Sequence, residues 1–397
     1  MKELSELVYA AGGEVIIETT QNMDRFNPKY LIGPGKVEEI KEICESNEID
    51  TVVFNDELTG IQLRNLNDAI KKKVVDRTNL ILDIFALRAT TYEAKLQVKM
   101  AALEYELPRL LGIKGWSRTG GGIGTRGPGE QIIETDRRRL KREIDSIKDK
   151  LKKAKQVRAT TGKDRRNSDI PIATLVGYTN AGKSTILNKL KDEESKEVFV
   201  KDMLFATLDA STRSATLPNN RPYLISDTVG FVSKLPTKLV EAFKSTLEEI
   251  KYSDLILHVI DLAGEDLVME YNTTMEILKD IGIEDKKILT VFNKKDLVEL
   301  ETIVPPGMDE KKIYISAMSD EDILKLKEQI EEELELNLIE VKGFLPYNAL
   351  GLLEKLRHNF TLKDIEYTND GAEFVAHISN KAMDEITSAG GRCTKLF

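Results

Sequence analysis

The sequence predicts an α/β protein whose central part is a P-loop domain, preceded by a small parallel α/β domain with a long antiparallel helical hairpin and followed by a small α+β tail. Three observations lead to this prediction. Strand-like apolar runs alternate with helical patterns over residues 1–88 and again over residues 170–335, as in parallel sheets covered by helices. Two long helical patterns lie between these regions, over residues 89–160. A glycine-rich phosphate-binding signature stands between a strand and a helix in the second α/β region.

Length and composition are those of a protein with several domains. With 397 residues the chain is too long for one hydrophobic core, so we expect two to four domains. It has 41% hydrophobic residues but no run of about 18 apolar residues, so we expect no membrane span. The first ten residues, MKELSELVYA, have no apolar signal core, which predicts a cytoplasmic protein. Cys44 and Cys393 stand far apart, with no C-x-x-C motif and no His cluster, and we expect reduced thiols with no disulfide partner.

The amino-terminal region, residues 1–88, has the pattern of a small parallel sheet. Helical patterns separate its strand-like runs, and a connection between parallel strands needs such a crossover. The predicted strands are Glu14–Glu18, Thr51–Phe54 and Lys73–Asp76, and the predicted helices are Lys36–Ser46 and Thr59–Lys71.

The next region, residues 89–160, predicts two helices that pack together as an antiparallel hairpin. Each helix carries one narrow apolar seam at spacings of 4 and 3 residues, with charges elsewhere, so we expect little surface for a further neighbour. The seams are Leu96, Met100, Leu103, Leu107 and Leu110 on the first helix and Leu140, Ile144, Ile147, Leu151 and Ala154 on the second. The alternative is that each helix packs separately on a domain.

Charge and glycine content make the end of this hairpin a candidate RNA contact. The formal net charge is −9, but residues 136–166 hold 14 Lys and Arg against 5 Asp and Glu, which gives this segment +9 and leaves −18 for the remainder. The segment adjoins a glycine-rich tip, residues 112–131, which contains Arg118 and Arg126. Bare amides and arginines at such a tip could approach an RNA backbone closely. The alternatives are a flexible turn and a solvated helix face.

The most specific chemical pattern is Gly177-Tyr-Thr-Asn-Ala-Gly-Lys-Ser184, which fits G-x-x-x-x-G-K-[ST]. A buried-strand run, Ile172–Val176, precedes it, and a helical pattern, Thr185–Leu190, follows. In this context the loop amides and the helix amino terminus surround phosphates. Lys183 is predicted to neutralise the β- and γ-phosphate oxygens, and the Ser184 hydroxyl to bind Mg²⁺.

Two further motifs indicate that the nucleotide carries guanine. Asn293-Lys-Lys-Asp296 follows the strand-like run Ile288–Phe292, and Ser316-Ala317 follows a later run, Lys312–Ile315. The Asp296 carboxylate can accept hydrogen bonds from guanine N1–H and from the exocyclic amine, which adenine lacks at that place. Adenine would leave a buried carboxylate unpaired, so polar readout discriminates strongly against it. We therefore expect GTP and GDP as ligands rather than ATP, with a backbone amide of Ser316–Ala317 donating to guanine O6.

The switch residues are predicted from a third motif. Asp227-Thr-Val-Gly230 follows the strand-like run Tyr223–Ser226, which places a carboxylate where a metal-facing acid is needed and lets the Gly230 amide meet the γ-phosphate. In Phe205-Ala-Thr-Leu-Asp209, Thr207 is the candidate switch threonine that contacts Mg²⁺ and the γ-phosphate. Thr212 and Thr216 are the alternatives.

Two positions bear on the rate of hydrolysis. Ras-like proteins carry a water-orienting glutamine directly after D-x-x-G, whereas this chain has Phe231, which cannot hydrogen-bond water. We therefore expect slow intrinsic hydrolysis that a partner accelerates. Asn180 could help to coordinate K⁺ beside the phosphates, or its side chain could stabilise the loop.

The candidate residues fall into three overlapping sets. The candidate catalytic residues are Lys183, Thr207 and Gly230, and the candidate metal ligands are Ser184, Thr207 and Asp227. The candidate nucleotide contacts are Gly177, Tyr178, Thr179, Asn180, Ala181, Gly182, Lys183, Ser184, Thr185, Phe205, Ala206, Thr207, Leu208, Asp209, Asp227, Thr228, Val229, Gly230, Asn293, Lys294, Lys295, Asp296, Ser316, Ala317 and Met318.

The tail, residues 337–397, predicts a helix and a β-hairpin. The helix lies near Ala349–His358, and Asn369-Asp-Gly371 between two strand-like runs is typical of a tight hairpin turn. His258 lies within the apolar run LILHVIDL, so we interpret it as a core residue rather than a catalytic one.

Taken together, these motifs resemble the HflX family, ribosome-associated GTPases of the Obg-HflX class. The resemblance is carried by GYTNAGKST, FATLD, DTVGF and NKKD, preceded by GGGIGTRGPGE and ETDRRR. Upstream, YLIGPGKVEEI, DRTNLILDIFALRA and KLQVKMAALEYELPRL agree with it. The resemblance therefore covers nearly the whole chain, from Gly12 to the tail.

The resemblance implies Mg²⁺-dependent GTP hydrolysis, binding to the large ribosomal subunit and its rRNA, and a role in dissociating or rescuing stalled or idle ribosomes, often under stress. It implies that Ser184 and Thr207 contact the metal and that Phe231 replaces the glutamine. Two other functions remain open at this point: a ribosome-assembly or RNA-modification GTPase, and a nucleotide-regulated RNA-binding or remodelling module. No apolar seam beyond the hairpin calls for a dimer, so we expect a monomer.

Overall fold

The structure is a computed structural model that describes residues 2–110, 128–166, 170–192, 211–232, 247–264, 266–283, 286–298, 311–335 and 338–396. The described residues form two compact units that meet in sequence between Val157 and Arg158. In the described ranges, no helix is both long enough and apolar enough to cross a membrane. Cys44 and Cys393 are both free thiols.

The first unit begins with a small α/β arrangement. Its two strands pair in parallel, with Thr51 opposite Lys73 and Phe54 opposite Asp76. Helix α3 starts at a capping box, in which Thr59 and Gln62 satisfy each other's backbone amides. The elements are α1 (Lys2–Ala10), α2 (Pro34–Ser46), β1 (Thr51–Phe54), α3 (Gly60–Ile70), β2 (Lys73–Asp76) and α4 (Arg77–Arg88). Both predicted helices and two of the three predicted strands are thus present.

The prediction of a strand over Glu14–Glu18 is wrong. These residues form no strand, and Ile16 and Ile17 are 56% and 43% exposed. The local sequence has the right residue types, but a strand exists only when a neighbour satisfies its backbone groups. In the described part of the chain, β1 and β2 pair only with each other.

The two-helix region contains α5 (Tyr92–Glu106) and α6 (Pro128–Arg166). Two ion pairs join them, Lys99 to Glu143 at 2.6 Å and Lys148 to Glu104 at 2.9 Å. The expectation that α5 has little surface for a further neighbour is wrong, because α5 also packs against α4. Its buried residues include Ala94, Leu96, Gln97, Val98, Ala101 and Tyr105, a wider face than the predicted seam.

A buried polar cluster fixes α5 to the small sheet. The Asp76 carboxylate, at the end of β2, accepts hydrogen bonds from the Leu58 amide at 2.9 Å and from the Tyr105 hydroxyl. The Arg109 guanidinium lies 3.6 Å from Asp76 and donates to the Leu58 carbonyl at 3.1 Å. Burial and the adjacent Asp76 charge raise the pKa of Tyr105, so its hydroxyl stays protonated and keeps donating.

The second unit contains a six-stranded sheet in the order β4-β5-β3-β6-β7-β8. Only β4 runs antiparallel to its neighbour. Helices α7 and α9 contribute to the core cluster on one face, and α8 packs against β3 and β6. The elements are β3 (Ile172–Gly177), α7 (Lys183–Leu190), β4 (Ser211–Thr216), β5 (Pro222–Asp227), β6 (Leu255–Asp261), α8 (Leu267–Asp280), β7 (Ile288–Asn293), β8 (Lys312–Tyr314) and α9 (Asp320–Glu335). The structure is thus the mixed α/β fold that the sequence predicts.

The tail forms an antiparallel sheet in the order β10-β11-β9-β12, covered by two helices. Its elements are β9 (Ile339–Pro346), α10 (Leu350–Asn359), β10 (Thr361–Tyr367), β11 (Gly371–Ile378), α11 (Asn380–Ser388) and β12 (Arg392–Lys395). The predicted helix and the hairpin at Asn369–Gly371 are present, and the β-α-β-β-α-β order is a split β-α-β arrangement. The sequence analysis does not predict α11 and β12, which form the second half of this pattern. We call this four-stranded sheet, together with its two covering helices, the carboxyl-terminal sheet.

Candidate nucleotide-binding site

The predicted motifs meet at the carboxyl edge of the six-stranded sheet. β3 ends at Gly177, β5 at Asp227, and β7 at Asn293. Ligands of open α/β sheets bind outside this edge. His258, by contrast, lies within β6 and is fully buried beside Tyr271. Burial lowers the pKa of His258 to about 3, so it is neutral, as expected of a core residue.

The P-loop needs glycine at two places for steric reasons. Gly177 and Gly182 have φ angles of 146° and 95°, which side chains rarely tolerate. A Cβ at Gly177 would lie 2.1 Å from the Val259 carbonyl oxygen, and one at Gly182 would lie 2.2 Å from Nδ2 of Asn293. The loop therefore packs tightly against β6 and β7, and α7 begins directly after it at Lys183.

Lys183 is held in place by the loop itself. Its Nζ donates to the carbonyl oxygens of Gly177 at 3.0 Å and Tyr178 at 2.6 Å. An ammonium group has three donors, so one N–H remains for a phosphate oxygen. The side chain is 6% exposed, and burial lowers its pKa to about 8, although the Asp227 carboxylate counteracts this. A phosphate beside it would stabilise the charged form.

Ser184 and Asp227 form an oxygen pair next to the P-loop. The Ser184 hydroxyl donates to Oδ2 of Asp227 at 2.8 Å, and the Thr228 amide donates to Oδ1 at 2.9 Å. Asp227 is fully buried, so these bonds fix its carboxylate. Hydroxyl and carboxylate oxygens are donors that suit Mg²⁺, which also takes ligands from phosphates. The donor set therefore fits the predicted metal.

Phe231, the residue after D-x-x-G, is buried and is held by backbone hydrogen bonds to the P-loop. The Phe231 amide donates to the Gly177 carbonyl at 3.1 Å, and the Phe231 carbonyl accepts from the Thr179 amide at 2.7 Å. Its side chain is 2% exposed. Phe231 therefore differs from a water-orienting glutamine in direction as well as in chemistry. Its predecessor Gly230 lies against Thr179 and Lys183, so the Gly230 backbone is close to the P-loop.

Asn293 joins two loops of the site. Its Nδ2 donates to the Ala181 carbonyl at 2.9 Å, and its Oδ1 accepts from the Ala317 amide at 2.9 Å. Both ends of its side-chain amide are thus engaged by the protein, whereas Asp296, the predicted base contact, is exposed at the surface. The Ala317 amide, one of the two amides from which a donor to guanine O6 is predicted, already has a partner and would have to share or exchange it.

Two acidic residues that the sequence analysis missed support the guanine motif. Asp261, at the end of β6, accepts from Nζ of Lys294 at 2.7 Å. Asp322 in α9 accepts from Nζ of Lys295 at 2.5 Å and from the Ser316 amide at 2.8 Å. Their positions in sequence, at a strand end and in the first turn of a helix, are the only local signals of this role.

The candidate switch threonine Thr207 lies outside the described residues, as do its neighbours Phe205, Ala206, Leu208 and Asp209. Arg118 and Arg126 of the predicted tip also lie outside them. The two alternative threonines, Thr212 and Thr216, are described. Thr212 stands opposite Ser226, next to Asp227, whereas Thr216 stands opposite Pro222 at the other end of β5. Thr216 is therefore remote from Asp227, the predicted metal ligand. Asn180, the candidate K⁺ contact, is exposed and has a φ angle of 61°.

The chain matches three described families in sequence order. Residues 1–86 match "GTP-binding GTPase N-terminal", and residues 88–165 match "GTP-binding GTPase Middle Region". Residues 172–294 match "50S ribosome-binding GTPase". The third match includes the P-loop, Asp227 and Asn293.

Among solved structures, the chain is similar to a GTP-binding protein from the archaeon Sulfolobus solfataricus in complex with GDP. The two share 27% sequence identity with a TM-score of 0.45, over 84% of this chain and 95% of the archaeal one.

Curated relatives cover most of the chain. It is 45% identical over 388 residues to GTPase HflX of Caldanaerobacter subterraneus subsp. tengcongensis, which covers 97% of this chain and 89% of the relative. It is 38% identical over 340 residues to GTPase HflX of Escherichia coli, which covers 84% of this chain and 79% of the relative. At this identity and coverage, the chain belongs to the HflX family of GTPases, and it binds and hydrolyses GTP.

Proposed function

We propose that this GTPase hydrolyses GTP slowly by itself, is stimulated by the large ribosomal subunit, and uses the cycle to dissociate or rescue stalled or idle ribosomes in the cytoplasm. The buried Phe231 is the observation that carries the proposal. Its side chain is 2% exposed and held by backbone bonds to the P-loop. A group that orients the attacking water must therefore come from elsewhere.

The proposed site residues divide the chemistry between them. The amides of the P-loop, with Lys183, hold the β- and γ-phosphates, while Asp296 accepts from the guanine base. When bound, Mg²⁺ offsets charge on the phosphate oxygens, and Ser184, Asp227 and Thr207 are its proposed protein ligands. Water attacks the γ-phosphorus, the bond to the bridging oxygen breaks, and GDP and phosphate leave. The proximity of Gly230 to Thr179 and Lys183 supports a hydrogen bond from the Gly230 amide to a γ-phosphate oxygen.

The charge distribution supports an RNA partner. Residues 136–166 carry +9 in a chain of −9, and Lys152 and Lys153 of α6 are exposed. A basic helix beside an otherwise acidic protein is the electrostatic footprint of phosphate-backbone binding. The family description "50S ribosome-binding GTPase" supports rRNA of the large subunit as this partner.

The test is GTP turnover by the purified protein, alone and with large ribosomal subunits, in K⁺ buffer at low and high salt. We expect strong stimulation that weakens as salt rises, because docking releases counterions from rRNA. Turnover that the subunits leave unchanged would contradict the proposal. The same assay in Na⁺ buffer tests the role of Asn180 with K⁺, which equal rates would rule out.

A further inference from the structure

The carboxyl-terminal sheet contacts the nucleotide-binding sheet at the turn between β4 and β5. Arg221 in this turn donates from Nε to the carbonyl oxygen of Asn359, the last residue of α10, at 2.8 Å. Its guanidinium lies 5.2 Å from the ring centroid of Phe360. The last carbonyls of a helix lack partners within the helix and favour a nearby cation. Arg221, 5% exposed, thus caps α10 from the other sheet.

The same turn is fixed to α9. The Asn219 amide donates to Oε2 of Glu331 at 3.0 Å, and Nδ2 of Asn219 donates to Oε1 of Glu335 at 2.8 Å. Oδ1 of Asn219 accepts from the Arg221 amide at 3.0 Å. Asn219 therefore holds the backbone from which Arg221 reaches α10, and the turn cannot rotate without breaking these bonds.

The other end of this hairpin is the proposed metal site. β4 and β5 pair without a register shift from Thr216 opposite Pro222 to Ser211 opposite Asp227. A strand of this length spans about 20 Å, and Tyr223 and Ile225 of β5 are fully buried in the core. A packed strand moves as one piece. A displacement of the turn therefore shifts Asp227 relative to Ser184, whose hydroxyl donates a hydrogen bond to Oδ2 of Asp227 at 2.8 Å.

We propose that Arg221 is a positioning residue for the metal and nucleotide site. By joining the β4–β5 turn to the end of α10, it lets the carboxyl-terminal sheet hold β5 where Asp227 meets Ser184. The inference rests on the proposed function, which assigns these two residues to Mg²⁺. Because such coupling is reciprocal, a nucleotide-dependent shift of β5 also reaches the carboxyl-terminal sheet.

The test compares full-length variants by the Mg²⁺ dependence of GDP release and by thermal unfolding. For Arg221→Met we expect the Mg²⁺ concentration for half-maximal slowing of release to rise about tenfold, an ordinary size for coupling between sites. Release in excess chelator should stay as in the wild type. Arg221→Lys should recover part of the loss, because an ammonium can donate to the Asn359 carbonyl. Arg357→Met is the control, since Arg357 is 55% exposed on α10.

If Arg221→Met lowers the melting temperature but keeps the wild-type Mg²⁺ dependence, Arg221 is merely structural and the inference is wrong. If that variant does not fold, Phe360→Leu, which removes the ring beside the guanidinium, is measured against the same expectation. A wild-type protein whose GDP release ignores Mg²⁺ would instead overturn the metal assignment in the proposed function.

Discussion

At the scale of single residues, the proposed phosphate contact of Lys183 would link protonation to ligand binding. In the folded protein the pKa of Lys183 is lowered from 10.5 to about 8, mainly because the side chain is buried. At pH values between about 8 and 10.5, Lys183 is protonated in the unfolded chain but largely deprotonated in the folded protein. Without nucleotide, the contribution of Lys183 to stability therefore rises with pH through this window. Its contribution to phosphate binding falls in the same window, because the neutral amine no longer attracts the anion.

We expect the affinity for GDP to decrease as the pH rises through about 8, the pKa of Lys183. Binding above that pH should also take up a proton, which calorimetry in buffers of different ionisation enthalpy detects. Lys183→Arg is the control, since a guanidinium stays charged over this range and should flatten the profile. An affinity that is constant over this window in the wild type would contradict the role of Lys183.

Phe231 gives a second prediction at this scale. We expect Phe231→Gln to leave intrinsic GTP turnover slow, because the side chain is directed into the core and is 2% exposed. The buried amide should instead lower the free energy of unfolding by about 1–3 kcal/mol. Urea unfolding and single-turnover hydrolysis measure both effects, with Phe231→Leu as the apolar control. Faster hydrolysis in Phe231→Gln would show that the direction of this side chain is not what limits the rate.

At the scale of elements, the site depends on side chains that tie loops together across the sheet edge. Asn293 at the end of β7 bonds to Ala181 of the P-loop and to Ala317 after β8. Neither motif alone predicts this bridge. Asn293 of the guanine motif therefore also fixes the position of the P-loop.

We expect Asn293→Ala to weaken GDP binding and to lower the free energy of unfolding by about 1–3 kcal/mol, the cost of leaving a buried polar group unpaired. Fluorescent-GDP release and urea unfolding measure the two effects. The control is Asn67→Ala, because Asn67 makes similar bonds, to the Leu63 carbonyl and from the Val74 amide, in the other unit. Asn67→Ala should lose stability but keep the wild-type rate of GDP release. Equal GDP release from both variants would contradict the bridging role.

The difference between what the sequence predicts and what it misses is also clearest among elements. The P-loop is predictable because strand, glycines, lysine and helix follow one another locally. The segment Glu14–Glu18 looks like a strand, yet it has no neighbour to pair with in the described part of the chain. Asp261 and Asp322 were missed because their partners, Lys294 and Lys295, are distant in sequence. Local patterns carry no information on such pairings.

At the scale of the whole molecule, charge separates the parts of the chain. Residues 136–166 have an excess of 9 positive charges, while the remainder has an excess of 18 negative ones. If rRNA is the partner, as we propose, it should repel most of the protein and attract α6. Docking through this helix should depend steeply on salt, since each neutralised phosphate releases counterions.

Lys150, Lys152 and Lys153 are exposed on α6. We expect their substitution by Glu to weaken binding to large ribosomal subunits and to reduce the salt dependence of that binding. Intrinsic GTP turnover and the melting temperature should stay at wild-type values. The control makes the same charge change at Lys342, Lys363 and Lys395, which are exposed on the carboxyl-terminal sheet. Cosedimentation over a salt series measures the effect. An equal loss in both triple variants would mean that net charge, and not α6, governs binding.

The measurement that tests the central claim most directly is the base preference of Asp296→Asn. If Asp296 accepts from guanine N1–H and the exocyclic amine, as we propose, the wild-type protein should bind GDP far more tightly than xanthosine diphosphate. Asparagine can donate to the 2-oxygen that xanthine carries instead of the amine, so the variant should prefer xanthosine diphosphate. A reversal of this preference, measured by competition for one fluorescent nucleotide, is the result the account predicts. An unchanged preference for GDP would contradict the assignment of the guanine site to Asp296.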